Sequence, residues 1–239
     1  MNGPDWRFML TITMFLTLVV LSSGISPALV RQAKDLNWTS PTAASTLGEG
    51  NSVENTIGVV TLNGKNYTRM RKLLFYNGDG SLWYDFSFYE EDADPRFQQA
   101  KVEFRPFSFH RDYFVLALKC VGKDSDRFEV VVNETTGLTK FIKRHGDIFK
   151  FQTWQAHILD LFAVGFDRSK NPLRAGPSDI VRTVRFPSGD VTFQPVQIRG
   201  NWLRVRWNAP GEQKGKNVGY GWVKWKQNTQ LLVEFFYFS

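Results

Sequence analysis

The chain has 239 residues, enough for one or two modest domains that each bury a core, and carries 21 Phe, 8 Trp and a formal charge of +7. Its single cysteine, Cys120, excludes an intramolecular disulfide framework and a CxxC metal site. Between Lys170 and Lys226 eleven Lys and Arg stand against three acids, so the basicity belongs to the C-terminal part and predicts an anionic partner there.

The first residues decide which anions are reachable. A short polar start is followed by an apolar run over 8–21 and the small residues Ser22, Ser23 and Gly24, with no charge between Arg7 and Arg31. The pattern predicts a signal peptide over 1–28, cleaved after Gly24 or Ala28. An uncleaved anchor is the competing reading, since about 18–20 apolar residues span a bilayer. Thr11, Thr13 and Thr17 weaken that alternative. Either way the body is expected to be exported, periplasmic or extracellular, and nucleic acid is excluded as a partner. Membrane contact is expected only through this segment. Residues 29–55 are small and polar, without periodicity, and predict a flexible tether.

Strand signals begin at 57–62 and break at Asn63-Gly64, a hairpin dipeptide. The stretch 73–76 runs into the turn Asn77-Gly78-Asp79-Gly80. In 82–89, Leu82, Tyr84, Phe86 and Phe88 share one face while Trp83, Asp85 and Ser87 share the other, the mark of a half-buried strand. Glu90, Glu91, Asp92 and Asp94 lack the spacing of a calcium loop and predict a solvated loop before a strand at 102–107. Over 113–121, Phe114, Leu116, Leu118 and Cys120 form an apolar face. A strand at 128–132, a turn at 133–137 and a strand at 140–144 complete this unit. Trp154, Ile158, Leu161 and Phe162 then recur at helical spacing, with Gly165 as the expected cap, and predict one amphipathic helix. A linker follows over 168–178. The second unit holds Ile198 to Trp207, then Gly221 to Lys226, and ends in an apolar strand over 231–239.

The two units look like copies of one pattern. In the second, Gly200, Trp202, Leu203 and Val205 are followed by Gly221, Trp222 and Val223. In the first, Phe128 and Val130 align with Leu203 and Val205, and Phe141 and Ile142 with Trp222 and Val223. The first departs by Lys140 where glycine is expected and by a longer loop over 123–127. This pattern resembles the bacterial SH3-like family, small β-barrels of exported and cell-envelope proteins, over about half the chain. The resemblance implies a mainly β fold of two tandem SH3-like small barrels, with an added N-terminal β region and one connecting helix. The corresponding regions are 56–150, 151–177 and 178–239. It also implies a targeting module that binds peptidoglycan or peptides.

Strand alternation puts Leu203, Val205, Trp207, Val223 and Trp225 on one side, and Trp202, Arg204, Arg206, Trp222, Lys224 and Lys226 on the other. With the apolar set inward, the second set forms a candidate ligand-binding patch. Indole faces stack on sugar or proline rings, while cations grip carboxylate or phosphate. With His110, His145 and His157 in the chain Cys120 is a candidate nucleophile, but amid an apolar face and away from a helix start it reads as a buried structural thiol. His157 and Asp160 read as a surface pair. Sequons stand at Asn37, Asn66 and Asn133. No cofactor and no catalytic set is expected. The chain therefore reads as a non-catalytic envelope module for an anionic wall polymer or a peptide or protein partner. A cell-wall enzyme with an unrecognised site and a structural or assembly protein are the alternatives.

Overall fold

β-Rich periodicity becomes a set of antiparallel sheets in a computed structural model, which describes residues 52–64, 71–88, 95–144, 148–185, 191–208 and 218–238. The expected export signal, most of the tether, the acidic loop, His145, Asn37 and Asn66 lie outside the described residues. The described residues belong to one unit spanning Leu47–Ser239.

The first sheet joins eight strands: β1 (Gly58–Leu62), β2 (Leu73–Tyr76), β3 (Leu82–Phe86), β4 (Ser108–His110), β5 (Val115–Lys123), β6 (Arg127–Asn133), β7 (Leu138–Lys143) and β8 (Phe149–Gln152). Its order is β3-β2-β7-β6-β5-β1-β8, with β4 on β5. The strands β1, β2 and β3, from the region before the first copy, thus belong to that copy's sheet. A helix, α1 (Gln98–Glu103), stands where the sequence predicts the start of a strand. Its reason is spacing: Phe97, Ala100 and Phe104 fall on one helical face, and all three join the first apolar cluster. Asn63-Gly64 does not make a hairpin, because β1 pairs with β5 and β8 and not with β2. Asn77 to Gly80 does turn β2 into β3, with Gly80 at a φ of 85°. The last residues of the expected tether are folded: Val53 is buried and donates its N–H to the Thr229 carbonyl at 2.6 Å.

α2 (Trp154–Leu159) is the predicted helix, shortened. Thr153 caps it, its hydroxyl accepting from the Ala156 N–H at 3.2 Å. Gly165 is not its cap; it lies in β9 (Ala163–Gly165). A three-stranded sheet follows from β10 (Gln194–Arg199), β11 (Trp202–Asn208) and β12 (Val218–Lys224). The apolar C-terminus is not one strand. It divides into β14 (Gln230–Leu231), paired with β13 (Lys226–Gln227), and β15 (Glu234–Phe236), paired with β9.

The two copies repeat each other pair by pair. Phe128 faces Ile142 as Leu203 faces Val223, and Glu129 faces Phe141 as Arg204 faces Trp222. The β5–β6 ladder skips a residue between Cys120 and Gly122, and the β10–β11 ladder does so between Pro195 and Gln197, the equivalent place. Val60 faces Leu118 and Phe151, as Val164 faces Phe193 and Phe235. Tyr76 flanks Phe141 as Arg174 flanks Trp222. The first copy runs β8-β1-β5-β6-β7 in one sheet, and the second follows the same order as two sheets, β15-β9 and β10-β11-β12, linked by the single Val164–Phe193 bridge. The 123–127 loop is not longer than its counterpart, since both β-turns join the same paired positions. Among the described residues no pairing closes either set into a barrel.

Equivalent side chains fill separate cores. Val60, Leu118, Phe128, Val130, Ile142 and Phe151 belong to the first cluster, while Val164, Phe193, Leu203, Val205, Val223 and Phe235 belong to the second. The second also takes Val59 and Ala117 from the other face of β1 and β5, so one strand pair serves both cores. Burying each such side chain contributes roughly 1.5–3 kcal/mol.

Candidate functional site

Alternation holds on β11, where Leu203 and Val205 are fully buried and Trp207 nearly so, leaving Trp202, Arg204 and Arg206 on the outer face. On β12 the inner face carries Gly219 and Gly221. An added Cβ at Gly219 would lie 2.2 Å from the Trp207 ring, and one at Gly221 would lie 2.5 Å from Leu173. These glycines make room for bulky neighbours and let Tyr220, Trp222 and Lys224 stand outward.

Pairing assembles the outer face into three rows: Arg199, Trp202 and Lys224; Gln197, Arg204 and Trp222; Gln194, Arg206 and Tyr220. Cations lie over rings along two diagonals and across one row. Arg199 sits 5.5 Å from the Trp222 ring centre, Arg204 4.6 Å from Tyr220, and Lys224 5.5 Å from Trp202. Each such contact is worth about 0.5–1 kcal/mol where exposed and more where shielded, and holds the cation in place. The Arg206 Nε donates to Gln194 Oε1 at 2.8 Å.

Five of the six sequence-predicted residues therefore share one face. Two corrections apply. Trp222 is buried, only 7% exposed, because a segment that the sequence reads as linker pairs with it: Arg174 and Trp222 exchange both backbone hydrogen bonds at 2.8 Å. Lys226 leaves the sheet, since the chain departs at Trp225, whose N–H bonds the Asn201 carbonyl, and Lys226 enters β13. Tyr220, 46% exposed, and Arg199 belong to the face and were missed. Tyr220 was visible by alternation from Trp222, but Arg199 joins only through the β10–β11 register.

Elsewhere, His157 is not a surface residue. It is 2% exposed, and its partners are Gln152 and Tyr237, not Asp160. Gln152 Nε2 donates to Asp160 at 3.0 Å, which aims Gln152 Oε1 at His157 Nδ1, 3.2 Å away. An amide oxygen only accepts, so Nδ1 carries the proton and Nε2 accepts from the Tyr237 hydroxyl at 3.0 Å. Burial holds the ring down to about 4 and pushes the Tyr237 phenol up. Thr61, Phe114, Lys150, Gln152, His157 and Tyr237 line a cleft of about 170 Å³ here. Both ring nitrogens are engaged within the protein, which makes His157 a structural tie of the C-terminal strand.

Cys120 is fully buried, its thiol donating to the Gly122 carbonyl at 3.2 Å, and burial pushes it up to about 11. A thiolate is the reactive form. A native chain is therefore expected to resist a thiol-specific disulfide reagent at pH 8 and to react fully once denatured; prompt native reaction contradicts this burial. Asn133 is also buried. Its amide nitrogen donates to the Glu103 carbonyl at 2.7 Å and its oxygen accepts from the Thr135 and Thr136 N–H groups, so this sequon serves as a turn. Among the described residues no group of three His, Cys, Asp or Glu is placed to hold a metal ion. No helix there is long and apolar enough to cross a membrane.

No known protein family, no curated protein and no solved structure matches the chain.

Proposed function

We propose that the chain is a non-catalytic binding module of the bacterial cell envelope, built from two SH3-like small barrels, whose second copy recognises an anionic wall polymer or peptide. The outer face of β10, β11 and β12 is the binding surface, with Arg199, Arg204, Arg206 and Lys224 interleaved with Trp202 and Tyr220. The pairing register shared by the two units supports reading them as copies of one motif.

One observation carries the functional assignment. The first copy holds the same register without the second copy's charge. Where the second has Arg199, Arg204, Arg206 and Tyr220, the first has Asp124, Glu129, Val131 and Thr139. Its charges are spent internally: Asp124 pairs with Arg127 at 3.3 Å, and Thr139 donates to Glu129 at 2.9 Å. At the places of Trp202 and Lys224 the first copy has Arg127 and Lys143, so these positions set two cations against two acids, and the fold stands without a net positive charge there. Four cations among rings in the second copy concentrate like charge at a cost to stability, and an anionic ligand relieves that cost.

The test is co-sedimentation of the full chain with isolated cell-wall sacculi. The parent is expected to sediment with them, more weakly as salt rises. A Trp202→Ala/Arg204→Gln variant, first shown to be folded, is expected to lose about tenfold or more in affinity, equivalent to about 1.4 kcal/mol. Arg127→Gln/Lys143→Gln in the first copy is expected to bind as the parent does. A parent that stays in solution, or an equal loss from the first-copy variant, rejects the proposal.

A further inference from the structure

The segment that covers Trp222 also brings an acid to the basic face. Arg174 and Thr183 pair across it, and Ala175 donates its N–H to the Arg182 carbonyl at 3.0 Å, so the chain folds back on itself with Ser178, Asp179 and Ile180 at the tip. Asp179 reaches the patch with both oxygens. Oδ2 lies 2.7 Å from Lys224 Nζ, and Oδ1 lies 4.0 Å from Arg174 Nε. Two cations from two elements thus face one carboxylate, one to each oxygen. Both are well shielded, with Arg174 at 19% and Lys224 at 24% side-chain exposure, whereas Asp179 is 62% exposed. Shielding strengthens what the cations do to any anion between them. The Trp202 ring lies beside them, 5.5 Å from Lys224 Nζ.

Besides these pairs, one side-chain tie holds the base of the tip, the Arg174 Nη1 donating to the Val181 carbonyl at 2.9 Å. Ile180 is 95% exposed, so no apolar packing anchors the residue next to Asp179. The nearest backbone ties are the Ser178 N–H to the Gly176 carbonyl at 2.9 Å and the Val181 N–H to the Ser178 carbonyl at 3.4 Å, both internal to the tip.

Resting on the reading of this face as an anion site, we propose that Lys224 and Arg174 form a carboxylate subsite that the protein's own Asp179 fills, and that a ligand carboxylate displaces Asp179 on binding. The ligand class is then a carboxylate borne on a ring or peptide unit that can lie against Trp202. Asp179 acts as an internal competitor, and the tip swings out while the Arg174–Trp222 pairing stays.

The test uses the full chain with two soluble probes, poly-L-glutamate and polyphosphate, beside the sacculi. Asp179→Asn is expected to bind poly-L-glutamate at least threefold more tightly than the parent. Asp167→Asn removes an acid paired with Lys170 outside the patch and is the control for general charge; it is expected to leave binding unchanged. In a Lys224→Gln background the Asp179→Asn gain is expected to vanish. Equal gains from Asp179→Asn and Asp167→Asn, or a gain that survives without Lys224, overturn the subsite. A gain as large for polyphosphate as for poly-L-glutamate overturns the carboxylate class. Failure of every protein to bind poly-L-glutamate overturns the inference as well. Binding of poly-L-glutamate with the expected gains but no binding of sacculi leaves the subsite standing and rejects the wall-polymer reading alone.

Discussion

Gly58→Ala is expected to destabilise the folded unit by about 3 kcal/mol or more, at the upper end of overpacking costs. The reason is contact with backbone. A Cβ at this position would lie 2.2 Å from the carbonyl oxygen of Gln152 and 2.8 Å from two ring carbons of Phe151. Neither neighbour can yield cheaply. Gln152 is hydrogen-bonded into β8, whose register against β1 runs from Val59 facing Gln152 to Leu62 facing Phe149. Phe151 packs into the first core and stacks on Phe128 at 6.2 Å between ring centres. Relief requires β1 and β8 to part, and β1 also carries the ladder to β5. For a unit of this size the loss corresponds to a melting temperature lower by about 6–12 °C. Gly64→Ala is the matched control, because an added Cβ there meets nothing within 4 Å, and its melt is expected to stay at the parent's. A Gly58→Ala protein that melts with the parent would mean that β1 and β8 do not pair in this register.

Acid should loosen the fold well before the carboxylates titrate. His157 is neutral in the native state, held down to about 4 chiefly by burial; Asp160 opposes that shift and Lys150 adds to it. In the unfolded chain a histidine titrates near about 6.5. Between these values the unfolded state binds the extra proton, so stability is complete above about pH 6.5 and falls as pH drops toward about 4. The gap amounts to a loss on the order of 3 kcal/mol. Protonation at Nε2 also removes the acceptor that Tyr237 uses, loosening the end of the chain beyond β15. Glu134 acts in the opposite sense, because burial raises its carboxyl against the opposing pull of Lys119 and favours the protonated native state as pH falls. Asp160, whose carboxyl is held low by Lys150 and Gln152 against its own desolvation, adds a further loss only below the usual carboxylate range. Melting curves from pH 7.5 to 4 are expected to show the decline. His157→Gln, which cannot charge, is expected to flatten it. A parent with a flat profile over this window, or a variant with the parent's slope, refutes the account.

What could be read from the residues alone was whatever alternation and repetition carry. Period-two patterning placed Leu203, Val205, Trp207, Val223 and Trp225 inward, and all five are buried. The same rule put Leu116, Leu118 and Cys120 on the face that packs the first core. Aligning Phe128 with Leu203 and Ile142 with Val223 anticipated a pairing register that recurs in both copies. These are local properties: a side chain's face on a strand follows from its neighbours in the chain.

The tertiary structure decided whatever depends on residues far apart in sequence. Trp222 points to the outer face as alternation requires, but Arg174 and its segment arrive from about fifty positions upstream and cover it. His157 looked like an exposed partner of Asp160 until Tyr237, at the other end of the chain, took its Nε2. The apolar C-terminus reads as one strand because both its faces are greasy, yet Leu231 and Phe235 pair with different elements and serve different ladders. Facing is set by backbone geometry over two residues. Covering is set by which remote segment wins the surface, and only long-range packing selects that segment.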